Sequence, residues 1–146
     1  MLEFYHVTAK KNLLKIAQEG INADSFWASG DFASGLVDYY SETVEDEGDT
    51  PVVLRVFLDD LDQKCFKPDV PGLEEPITTV VGKSENAVWE DWQNSKKTWE
   101  SCIEIIGSCK YTQVIPAKLV FVDNEDDVVG LGDFVATYIS PKPKLK

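Results

Sequence analysis

The chain has 146 residues, 43% of them hydrophobic and 27% charged, with a formal net charge of −12. That length and balance suit one folded, soluble domain with a real core and exclude a disordered chain. No apolar run is long enough to span a bilayer, and a field of this sign repels phosphate, which argues against nucleic acid as a partner.

From the N-terminus, residues 2–7 read as an aromatic-rich strand. Residues 11–19 read as a helix, with Leu13, Leu14, Ile16 and Ala17 at helical spacing and Gly20 as C-cap. Residues 25–28 form a short strand. Residues 31–41 follow as a helix capped by Asp31, with Phe32, Leu36 and Tyr39 or Tyr40 on one side. An acidic loop spans 42–50, and a strong buried strand spans 51–58, bounded by Pro51 and by Asp59-Asp60. Residues 66–82, with three prolines, read as loop-rich. Residues 87–99 read as a helix carrying Trp89 and Trp92, and residues 102–111 and 118–122 as strands. Residues 124–127 read as a turn. The expected class is α+β with strands dominant, in one domain over residues 1–140 followed by a flexible basic tail, 141–146, that holds Lys142, Lys144 and Lys146.

The candidate chemistry gathers at the start. His6 is the only histidine, it ends a short aromatic strand, and Thr8 places a hydroxyl two residues on. Phe26-Trp27 and Tyr39-Tyr40 add flat rings. An imidazole and a hydroxyl facing aromatic rings hold a flat aromatic amide by stacking and a ribose by hydrogen bonds. Nicotinamide joined to its ribose is a ligand of that kind. Trp89, Trp92 and Trp99 read as core or as a ligand wall. Cys65, Cys102 and Cys109 form no CxxC and no Cys/His cluster, so reduced thiols in a cytoplasmic protein, with no metal, are expected.

Tyr5-His6-Val7-Thr8, followed by the helix closed by Gly20-Ile21, resembles the opening of ADP-ribosyltransferases of the diphtheria-toxin and poly(ADP-ribose) polymerase type. Phe26-Trp27-Ala28-Ser29 with Tyr39-Tyr40 is similar to that family's second aromatic strand and nicotinamide-stacking tyrosine. Glu104-Ile105-Ile106-Gly107, then Val114-Ile115-Pro116, looks like its final strands, where a glutamate starts the strand. The departures are Phe26 or Trp27 in place of a signature tyrosine and Val7 in place of a glycine.

The resemblance implies two small packed β-sheets, a split sandwich, around a central NAD cleft. It implies an NAD-dependent mono-ADP-ribosyltransferase whose acceptor is a protein side chain or small molecule. His6 then bonds a ribose hydroxyl of the adenosine half, the Val7 backbone a carboxamide, and Thr8 the nicotinamide ribose or amide. Phe26, Trp27 and Tyr39 or Tyr40 supply the aromatic surface. Glu104 or, upstream, Glu100 is the catalytic carboxylate. Strand alternation sets Cys102, Glu104 and Ile106 on one face, which turns Glu104 toward the cleft or toward water. Two alternatives stay open: a non-catalytic module of the same fold that binds NAD, ADP-ribose or a protein, and an RNA 2′-phosphotransferase-like enzyme, for which Arg55 and His6 are sparse cations.

Overall fold

The computed structural model describes residues 2–124 and 127–139. The strands are β1 (Glu3–Ala9), β2 (Ser25–Ala28), β3 (Pro51–Phe57), β4 (Phe66–Pro68), β5 (Ser108–Tyr111), β6 (Phe121–Asn124) and β7 (Asp127–Gly130). The helices are α1 (Leu13–Glu19), α2 (Ala33–Asp46), α3 (Val70–Glu74), α4 (Thr78–Val81), α5 (Glu85–Gln93), α6 (Trp99–Ile106) and α7 (Leu131–Phe134). The class is α+β, but helix outweighs strand, contrary to the expected dominance of strands.

The strands form one seven-stranded sheet, in the order β4-β5-β2-β1-β3-β6-β7, in place of the two expected sheets. Its pairings are antiparallel. They are unequal in extent. β1 pairs with β3 along its whole length, from Glu3↔Phe57 to Ala9↔Pro51. With β2 it shares one position, Tyr5↔Ala28. Beyond that position the His6 ring bonds across the gap, Nδ1 to the Phe26 carbonyl oxygen at 2.8 Å. The sheet is thus continuous but pinched at its middle.

Alternation gives each face its own cover. Phe4, Trp27, Leu54, Phe66 and Val122 belong to the main core, which α1 and α7 help to close. Within it Phe66 lies between Phe4 and Trp99, with ring centroids 4.8 Å from each. On the other face Ala28, Ala33 and Leu36 pack with Tyr5, Ile77 and Val80 beneath α2. A satellite core of Leu73, Val81, Val88, Trp92, Cys102 and Ile106 binds α3, α5 and α6 together.

Several expectations change. Helix α2 starts after a tight turn at Gly30–Phe32, and no side chain caps it, so Asp31 is not a cap. The Ser29 hydroxyl instead donates to the Glu3 carbonyl at 2.6 Å, which ties β2 to β1. The helix also runs on through Glu42–Asp46, because glutamate suits a helix and the first glycine after Gly35 is Gly48. The stretch expected to be loop-rich holds β4, α3 and α4. The helix expected over 87–99 ends at Gln93, and Lys97 takes φ 57° between α5 and α6.

The expected strand over 102–111 is half helix. Thr98 accepts from the Ser101 N–H, Gly107 takes φ 80°, and between these caps Trp99–Ile106 winds as α6. The expected strand over 118–122 is a helical turn at Ala117–Leu119 followed by β6. Of the expected turn at 124–127, residues 125 and 126 lie outside the described residues, as does the basic tail at 141–146.

Gly107 is one position where a side chain cannot be added without a clash. A Cβ there falls 2.5 Å from Phe32 Cβ and 3.2 Å from Leu36 Cδ1, on a backbone with φ +80°. Gly107→Ala is expected to cost at least ~2 kcal/mol, from left-handed strain and overpacking together. Gly132→Ala, whose Cβ meets no described atom within 4 Å, is the control and should be neutral or stabilising. Urea-denaturation midpoints check both, and equal midpoints for the two variants would contradict this packing.

Candidate functional site

The pinch opens a cleft of about 410 Å³, walled mainly by apolar and aromatic side chains. Its floor follows from strand register. Tyr5 pairs with Ala28, and Ala28 with Ser108, so the three stand in one row across β1, β2 and β5. His6, Val7, Phe26 and Trp27 complete the strand side. Helix α2 supplies Leu36, Val37 and Tyr40, and the start of α3 supplies Asp69, Pro71, Gly72 and Glu75.

His6 is held in one tautomer. A carbonyl only accepts, so Nδ1 carries the proton and donates to Phe26 O. Nε2 then keeps its lone pair for a ligand hydroxyl. Burial lowers the pKa of His6 below its ordinary 6.5, against the opposing pull of the Phe26 carbonyl. The ring also leans on Trp27, with centroids 5.3 Å apart.

Asp69 is the one acidic side chain buried among the described residues, at 8% exposure. A buried carboxylate is tolerated only when hydrogen-bonded. Its Oδ1 accepts from the Gly72 N–H at 2.9 Å, and its Oδ2 from the Ser108 hydroxyl at 2.7 Å. Gly72 has no Cβ to collide with that carboxylate. Across the cleft the Tyr40 hydroxyl has its pKa raised, first by burial, then by the charge of Asp69 and by Tyr39. Glu75 stands exposed at the rim.

Of the residues expected to form a site, His6, Val7, Phe26, Trp27 and Tyr40 come together here. Four do not. Thr8 is buried outside the lining, where its hydroxyl accepts from Asn12 Nδ2 at 3.2 Å. Tyr39 is 43% exposed and meets Tyr40 edge-on. Glu100 and Glu104 are exposed on α6, outside the lining. They stand four residues apart, hence on one helix face, while Cys102, Ile103 and Ile106 take the buried sides. The alternation expected for Glu104 fails because the segment is not a strand. Trp89, Trp92 and Trp99 lie outside the cleft as well.

Asp69, Ser108, Gly72 and Tyr5 were not anticipated. The signal for Asp69 was the run Pro68-Asp69-Val70-Pro71-Gly72, a helix start with an N-cap aspartate and an early proline. Among the described residues no group of three or more His, Cys, Asp and Glu could hold a metal ion, and no helix is long and apolar enough to cross a membrane. Comparison of the chain with protein-family models, curated proteins and solved structures gives no match.

The histidine makes a sign-definite prediction. Its folded pKa lies below the unfolded value of 6.5, so between the two the unfolded chain binds more protons. His6 therefore contributes full stability above pH 6.5, and that contribution falls as pH drops toward the folded pKa. Stability measured against pH for the wild type minus His6→Gln should decline with acid in that window. A flat difference curve, or one that rises with acid, would contradict a half-buried imidazole held neutral.

Proposed function

We propose that the cleft binds the nicotinamide–ribose end of NAD and that the protein transfers ADP-ribose from it to a protein side chain or small molecule. The observation that carries this is His6, clamped by Nδ1 to the Phe26 carbonyl at the pinch, with Nε2 left as an acceptor beside aromatic walls. A ribose hydroxyl can donate to that nitrogen, and the rings of Phe26 and Tyr40 offer faces to a flat amide. The narrowing of the sheet to a single β1–β2 pairing makes room between these strands for a flat ligand.

Charge supports the same end of the dinucleotide. The lining holds Asp69 and Glu75 but no lysine or arginine. The oxidised nicotinamide ring is cationic, and carboxylates and aromatic faces both attract cations. The pyrophosphate then stays outside, toward the rim. Lys110 and Lys67 stand in one cross-strand row with Phe26, with Lys110 3.9 Å from Asp24. Arg55, the chain's single arginine, is engaged by Asp123 and Glu3 and offers little to an RNA phosphate. Free cysteines, two of them buried, suit a reducing cytoplasm.

A non-catalytic module that binds NAD or ADP-ribose is the second reading. It is favoured by Glu100 and Glu104 lying on the outer face of α6 and by Ser108, not a glutamate, starting β5.

Calorimetric titration with NAD tests the common core of both. Wild type should bind NAD, and His6→Ala should bind it about tenfold more weakly, the worth of one good hydrogen bond. The melting temperature should fall far less than binding does. Equal loss of both, or no binding by wild type, would contradict the proposal.

A further inference from the structure

We propose that Asp69, held in place by Ser108, is the carboxylate that faces the ribosyl cation when the nicotinamide–ribose bond breaks. This rests on the NAD-binding proposal above and extends it to the reacting atoms. Breaking that bond needs negative charge near the ribose. Glu100 and Glu104 cannot supply it from the outer face of α6. Two carboxylates line the cleft, and of these Glu75 is exposed at the rim, where water screens it. Asp69 is buried, so its field is stronger, and two hydrogen bonds fix its orientation before any ligand arrives.

Ser108 is a positioning residue. It stands in the floor row with Tyr5 and Ala28, and its hydroxyl spans from that row to Asp69 Oδ2 at 2.7 Å. The sheet thereby holds a carboxylate that belongs to another element. Tyr40 of α2 and Asp69 at the start of α3 both line the cleft, so an aromatic ring joined to a sugar that enters it meets both.

The step balances as follows. The bond from the ribose C1′ to the pyridinium nitrogen breaks, and both electrons stay on nitrogen, so nicotinamide leaves neutral. The carboxylate of Asp69 stabilises the positive charge at C1′. An acceptor hydroxyl or water forms the new C1′–O bond, and its proton passes to Asp69 and then to solvent.

Asp69 also caps α3, and the test must separate charge from cap. Asparagine caps a helix as well as aspartate does, and Ser108 can accept from the new amide. Full-length wild type, Asp69→Asn, Ser108→Ala, Ser108→Thr and Glu104→Gln are incubated with NAD labelled in the nicotinamide, and free nicotinamide is measured. Calorimetric NAD affinity and melting temperature are read in parallel.

Asp69→Asn should keep the fold and NAD affinity and lose about 100-fold or more in release. Ser108→Ala should lose less, and in the rate of release rather than in NAD affinity, while Ser108→Thr, which keeps the hydroxyl that reaches Asp69 Oδ2, should restore it. Glu104→Gln should match wild type. Release by Asp69→Asn at the wild-type rate overturns the proposal, as does loss of its fold or NAD binding, which would make Asp69 purely structural. Wild type that binds NAD but releases no nicotinamide overturns it too and leaves the binding module standing. Wild type that binds no NAD removes the proposed ligand itself.

Discussion

Between β1 and β2 the backbone ladder narrows to Tyr5↔Ala28, and everything proposed for this protein depends on what fills the gap. An open stretch inside a sheet leaves peptide groups that need partners. Two side chains supply bonds across it. The Ser29 hydroxyl reaches the Glu3 carbonyl on one side of the pair, and the His6 imidazole reaches the Phe26 carbonyl on the other. Both are hydroxyl or imidazole donors on short tethers, and each is worth roughly 1 kcal/mol net. The strands therefore part without the sheet coming apart, and the space between them becomes a cleft rather than a void.

The rest of the molecule holds that cleft open. Helix α2 sits over the Tyr5 row on small residues, Ala28 and Ala33, and Gly35 lets it approach Val80 of α4, where a Cβ would lie 3.1 Å from Val80 Cγ1. The segment from α3 through α6 forms a satellite core of its own, and the turn into α3 delivers Asp69 to the opposite wall. The fixed points are the Asp69–Ser108 bond and the backbone contact from Ser29 N–H to the Gly107 carbonyl at 2.9 Å. Walls anchored by separate bonds to the same floor give a site formed before its ligand arrives.

Much of the N-terminal half is legible in the sequence, because its signals are local. Period-two alternation marks Pro51–Phe57, Gly20 closes α1 at φ 78°, and Ser25–Ala28 is bounded by turn residues. The cleft residues His6, Val7, Phe26, Trp27 and Tyr40 are legible for the same reason, since they cluster on the first strands and helix. The carboxylate is not. Cys102-Ile103-Glu104-Ile105-Ile106 alternates well enough to pass for a strand, and only the caps at Thr98 and Gly107 tell that it is helical. Asp69 sits in a proline-rich stretch with no hydrophobic period, and its meeting with Ser108 spans 39 residues of sequence, which no local pattern encodes.

The state of the His6 ring tests the account most directly, and the chain's single histidine makes its imidazole signals unambiguous. Nitrogen-15 correlation spectra of the ring at neutral pH should show the proton on Nδ1, shielded from exchange by Phe26, and a pyridine-like Nε2. Addition of NAD should shift the Nε2 resonance as a ribose hydroxyl donates to it, with Nδ1 little changed. A ring protonated on Nε2, or an Nε2 signal indifferent to saturating NAD, would contradict the claim that the pinch between β1 and β2 is the ligand site.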